Sequence, residues 1–112
     1  MLRGLSDMDA LCEYALYFLL TGQGDARSLA ATMAEKMPTL PALELVFVLA
    51  SAASGLEAVF SGLESKLIAL DTWRTSALVG VDLHVMQEMG LPCRLCADLL
   101  EYWKKEDGYF LA

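Results

Sequence analysis

The segment Pro92-Cys93-Arg94-Leu95-Cys96 holds the residue types best equipped for chemistry in this chain. Two cysteines at that spacing can cycle between dithiol and disulfide. A helix starting there lowers a thiol pKa, because the free amides of its first turn favour thiolate, and Arg94 adds positive charge. The structural alternative packs Cys96 inward beside Leu99 and Leu100. With His84 the pair supplies three metal-binding side chains, and Cys12 adds a fourth if the fold brings it near. The plainer reading of His84 is a helix-surface or boundary histidine, and no metal or cofactor is expected. Hydrolytic chemistry has less to work with, since the chain has one histidine and lacks a Gly-x-Ser-x-Gly element. No glycine-rich loop has the spacing that cradles phosphate. Glu44, Glu57 and Glu64 sit at helical spacings expected on solvated faces.

The cysteine pair resembles that of the small all-helical peroxidase-reducing proteins of the alkyl hydroperoxidase D type. Their pattern carries a histidine three or four residues after the second cysteine, and those positions here are Leu99 and Leu100. The order His84, then Pro92-Cys93-x-x-Cys96, is similar to zinc deaminases, in which a glutamate two residues after the histidine moves protons. Here that position is Met86, and only eight residues separate His84 from Cys93. No catalysis is required by these residues, and a thiol oxidoreductase or redox sensor using Cys93 and Cys96 stands as the alternative reading.

The elements that position these residues follow from composition and period. The chain has 112 residues, 56% of them hydrophobic, and a net charge of −7. Residues 1–112 suffice for one domain with a single core, and apolar content this high excludes disorder. The negative balance disfavours phosphate backbones and anionic membrane surfaces, which select Lys and Arg. No nucleic-acid or membrane partner is expected. Asp7, Asp9 and Glu13 precede the apolar run 14–20, where a secretion signal would carry positive charge. Leu45 to Phe60 is the nearest approach to a membrane span, but Glu57 interrupts it, and it reads as buried helix. Three cysteines do not make a disulfide scaffold, so a reducing cytoplasm is the expected compartment.

Every patterned segment reads as helix, so the fold class is all-α. Ser6 with Asp9 resembles a capping box, and the first helix runs to about Thr21 and stops at Gly22. Asp25 caps a second helix with an apolar stripe at Ala26, Leu29, Ala30, Met33, Ala34 and Met37, ended by Pro38. Thr39 is expected to cap a third, with Pro41 in its first turn. Leu49, Leu56, Leu63 and Leu70 then recur every seven residues. That recurrence permits one helix over about 41–70, or two broken near Ser54-Gly55. A further helix restarts at Asp71 or Thr72, reaches Met89, and stops at Gly90-Leu91-Pro92. The last runs from about Pro92 to Glu106 and ends near Asp107-Gly108.

These breaks step by about 33 to 36 residues, the period of stacked helix pairs. The spacing is similar to tetratricopeptide-like proteins, with small residues near the packing points: Ala15 with Ala30, Ala50 or Ser51 with Gly62, and Gly80 with Ala97. The full tetratricopeptide signature of Trp, Leu-Gly, Tyr and Pro is absent. An array of about three helical hairpins is therefore expected, with a five- or six-helix bundle as the alternative. Within that group the layout resembles the small acidic chaperones of type III secretion systems. The matching pieces are Leu11-Cys12-Glu13-Tyr14-Ala15-Leu16 before Gly22, an alanine-rich second helix, Trp73 and Leu83 before Gly90, and Leu95 to Trp103.

A hairpin array lines its concave side with the first helix of each pair, which here places Tyr14, Tyr17, Phe18, Val48, Ala52, Met86 and Met89 in a groove. Methionine and aromatic side chains adapt to an incoming amphipathic helix. A mean hydropathy of +0.45 in so short a chain implies apolar surface covered by another chain. The expected function is thus a protein-binding chaperone or adaptor that shields a partner's helix. By the resemblance, its client is a small helical secretion subunit, and a second small chaperone shares the complex. Self-association into a regulatory homodimer is a further alternative.

Overall fold

The computed structural model describes residues 5–106 and 108–111, with side chains described from Asp7 onward. The chain is all-α: α1 spans Leu5–Leu20, α2 Ala26–Lys36, α3 Ala42–Val59, α4 Leu63–Glu88 and α5 Cys96–Lys105, followed by a 3-10 turn over Gly108–Leu111. The proposed cap at Ser6 lies outside the described side chains, and Asp107 lies outside the described residues.

Local chemistry sets most helix ends where the sequence puts them. The Asp25 carboxylate accepts the Ser28 amide at 2.9 Å and starts α2. That bond holds the Asp25 carboxyl below its ordinary range. The α2 stripe Ala26, Leu29, Ala30, Met33 and Ala34 is fully buried. Gly22 and Gly90 both adopt left-handed backbone (φ +71° and +74°). Each ends a helix, with the next amide reaching back five residues: Gln23 to the Phe18 carbonyl and Leu91 to that of Met86.

Other boundaries differ from expectation. Thr39 does not cap α3. The N-cap is Pro41, which has no side chain to offer, and the Ala42 amide instead donates to the Arg94 carbonyl at 2.8 Å. The exchange is mutual, because Cys96 donates to Leu40 at 2.8 Å and Ala97 to Pro38 at 3.0 Å. Two loops thus satisfy the orphan amides at each other's helix starts, through an isolated bridge of Pro41 with Leu95. This pairing delays α5 to Cys96, four residues after the expected Pro92. Asp98 completes the start by accepting the amides of Arg94 and Leu95, each at 3.0 Å.

The break between α3 and α4 falls at residues 60–62, not at Ser54-Gly55, and α4 runs unbroken through Asp71-Thr72. Gly55 lies inside α3 and does not end the helix, and a Cβ added there would make an ordinary 3.6 Å contact with Leu16. The Thr72 hydroxyl donates to the Ile68 carbonyl inside α4 at 2.7 Å and caps nothing.

The breaks thus depart from the expected 33- to 36-residue period, and the five helices are consistent with a bundle or a hairpin array, the two architectures expected. The main pairings are α3 with α4, α1 with α3, and α2 with α5. Gly62 and Ala97 are exposed and serve as no packing points. Central α3 touches all four other helices. It is also long and apolar enough to cross a membrane by length and composition. Here it supplies the middle of the core with Leu45, Val48, Leu49, Ala52 and Leu56. The 3-10 turn closes the far end: Phe110 stacks on Trp103 with ring centroids 4.3 Å apart, and Arg27 lies 5.2 Å over the Tyr109 ring. The Trp103 indole also donates to the buried Asp82 carboxylate at 2.9 Å, tying α5 to α4. The whole measures 42 × 33 × 21 Å. Its short dimension is about two helix diameters.

Replacing Asp25 with Ala removes a cap worth about 1 kcal/mol, whereas Thr39→Ala stays within about 0.5 kcal/mol of wild type. Urea unfolding at neutral pH measures both. Because folding lowers the Asp25 pKa, the cap's contribution is present above the ordinary value of 3.8 and is lost as pH falls through the folded value, so the Asp25→Ala difference shrinks in acid.

Candidate partner-binding face

Helix α4 is built inside out. Its inward side carries Ala69, Thr72, Thr75, Ser76, Val79, Asp82 and Met86, all buried. Four of these seven are polar. Thr72 and Thr75 return their hydroxyl protons to carbonyls of the preceding turn, and Ser76 donates across to the Val46 carbonyl of α3 at 2.9 Å. Short side chains with locally satisfied hydroxyls allow α4 to pack against α3 at no hydrogen-bonding cost.

The opposite side of α4 carries the bulk. Leu63 is 73% exposed, Leu67 58%, Leu70 46%, Leu78 41% and Val81 55%. These positions fall on one helical stripe, with Arg74 in its middle. On α3, which packs along α4, Leu43 and Phe47 are also exposed, at 56% and 50%. The indole of Trp73 bridges the two helices by donating to the Glu57 carboxylate. Burying a Leu or Val completely is worth about 1.5–3 kcal/mol, so covering this half-exposed α4 stripe is worth on the order of 5 kcal/mol gross. A two-layer molecule has no third layer to supply that cover.

The residues expected to line a groove are distributed differently. Phe18, Val48, Ala52 and Met86 lie in the core, each no more than 5% exposed. They offer no surface to a second chain; Val48 and Ala52 are covered because α3 packs against all four other helices. Tyr14 is half-buried and packs its ring against Phe18. Tyr17 is exposed on α1, and Met89 is exposed just after α4.

The two cysteines of the pair differ in burial. Cys96 is the first residue of α5, yet its thiol is wholly buried beside Leu99. Desolvation, and then the negative charge of Glu44, push it up to about 11. That outweighs any helix-start effect, and it is the opposite of an activated nucleophile. Cys93 precedes the helix and is half-buried; all three cysteines are free thiols. His84 is an exposed surface histidine, 3.8 Å from Glu88. Among the described residues no three His, Cys, Asp or Glu side chains are grouped to hold a metal. Glu57 and Glu64 are solvated as expected, while Glu44 is half-buried at the start of α3.

The chain matches no known protein family, no curated protein and no solved structure.

The outward stripe of α4 was missed because Leu49, Leu56, Leu63 and Leu70 share one seven-residue spacing. The break at residues 60–62 divides them. Leu49 and Leu56 are core, and Leu63 and Leu70 face solvent. The complementary run of small and hydroxyl residues at 69, 72, 75 and 76 is the signal that marks which side of α4 faces inward.

Two measurements check the cysteine assignment. Iodoacetamide at pH 8 should leave Cys96 unmodified in the folded protein, and rapid alkylation there would restore the redox reading. Folding raises the Cys96 pKa from 9.0 to about 11, so the stability this thiol confers is intact below pH 9 and is lost as pH rises towards 11. Thermal melts of wild type should fall through that window more steeply than those of Cys96→Ala.

Proposed function

We propose that this protein is a non-catalytic helix-binding chaperone or adaptor, which covers an amphipathic helix of another polypeptide with the outer face of α3 and α4. One observation carries the reading: α4 turns Leu63, Leu67, Leu70, Leu78 and Val81 to solvent while burying threonine and serine. A helix evolved for one layer would do the reverse. Exposed apolar patches of this extent on small proteins are typically binding sites. An incoming helix presenting apolar residues at i, i+3, i+4 and i+7 would complete a third layer.

The client fits best as a small apolar helix that is unstable alone. The resemblance to type III secretion chaperones suggests a secretion subunit held before it polymerises, with a second small chaperone in the complex. The odd number of free cysteines suits a reducing, cytoplasmic setting. The thiol chemistry of Cys93 and Cys96 plays no part in this function.

A photo-crosslinking residue at Phe47 or Leu70, compared with one at Glu35 on the exposed side of α2, tests the proposal in the native cell. Both apolar-face positions should capture the same small helical protein and Glu35 none. Equal capture at all three positions, or none at Phe47 and Leu70, would contradict it. The Cys93→Ser/Cys96→Ser double variant should retain capture.

A further inference from the structure

We propose that, without a client, this face is closed by a second copy of the chain, with the two α4 helices crossing antiparallel near the level of residue 72. The inference rests on reading the face as a docking surface and names its resting occupant.

Spacing is the first reason. Leu63, Leu67, Leu70, Arg74, Ala77 and Val81 are separated by four, three, four, three and four residues. That series, with exposed Leu78 flanking Ala77, reads the same in both directions. An antiparallel copy therefore sets Leu63 opposite Val81, Leu67 opposite Ala77, and Leu70 opposite Arg74, which is the knobs-into-holes register of a short coiled coil.

Charge is the second reason. Arg74 is the one charged residue on the stripe, and it makes no ion pair among the described residues. A client helix without an acidic residue at this level leaves the guanidinium with no counter-charge. A second copy brings exposed Asp71, one residue from the Leu70 that faces Arg74, and the twofold axis makes the contact twice.

Area is the third. From residue 63 to 81 the stripe is about 27 Å long, and with adjacent α3 the face is about 20 Å wide. That gives on the order of 500 Å² per copy and 1,000 Å² for the pair, the threshold for a specific interface. An interface at that threshold is exchangeable, as a resting state displaced by a client must be.

Sedimentation velocity over concentrations on the order of 1–100 µM tests this directly. Wild type should shift from 12.2 kDa towards twice that mass. Arg74→Asp places like charges opposite each other, as does Asp71→Arg, and each should weaken the dimer about tenfold or more. The double variant Arg74→Asp/Asp71→Arg should recover wild-type association, and unchanged circular dichroism certifies the fold of all three. A monomer at every concentration, or a dimer indifferent to both single changes, would overturn the proposal. A monomeric wild type that still captures a foreign helix at Phe47 and Leu70 rejects self-closure alone. A monomer that captures nothing there rejects the docking reading as well.

Discussion

Close packing of α3 on α4 sets the character of the whole molecule. Ser76 bonds the Val46 carbonyl across the contact, Thr72 and Thr75 bond within their own helix, and Ala69 and Val79 fill the remaining space. This seam contains few large side chains. The bulky residues of α4 must then point elsewhere, and in a slab 21 Å thick the only place left is solvent. The exposed leucines are thus a direct consequence of the polar, small inner side. The rest of the core is made by α3 with α1, α2 and α5, where Leu29, Leu45, Leu49 and Leu99 supply the bulk.

The second organising element is the mutual satisfaction of two loops. Residues 38–41 and 94–97 exchange amides and carbonyls, so the starts of α3 and α5 are fixed relative to each other although fifty-odd residues separate them. The same pairing brings Cys96 under the half-buried Glu44, whose charge adds to desolvation in keeping that thiol protonated. The inward packing of Cys96, one of the two readings its sequence position allows, is the one this fold adopts.

Features governed by one residue and its immediate neighbours were legible in the sequence. Asp25 as a cap, Gly22 and Gly90 as stops and Pro38 as a terminator all appear as expected, because each depends on bonds within about one turn. Features that depend on a distant partner were not. Gly55 reads as a breaker, yet α3 continues through it to Val59. Pro41 takes the cap that Thr39 was expected to provide because Arg94, far along the chain, supplies the carbonyl. The candidate partner-binding residues were the least legible. Val48, Ala52 and Met86 were apolar and regularly spaced, but burial is decided by which helices surround them, and that is tertiary information. The high mean hydropathy did point to uncovered apolar surface; only its location was misread.

The central claim is that the outer side of α4 is surface and not core. Its most direct test is far-UV circular dichroism and thermal unfolding of a dilute Leu67→Lys/Leu70→Glu/Leu78→Lys/Val81→Glu variant. If the stripe is a free binding face, the variant keeps the helicity and cooperative transition of wild type, within about 0.5 kcal/mol per site, and becomes more soluble. Loss of helicity or of a cooperative transition would mean that these side chains hold the fold together, and the face would not be available to any partner.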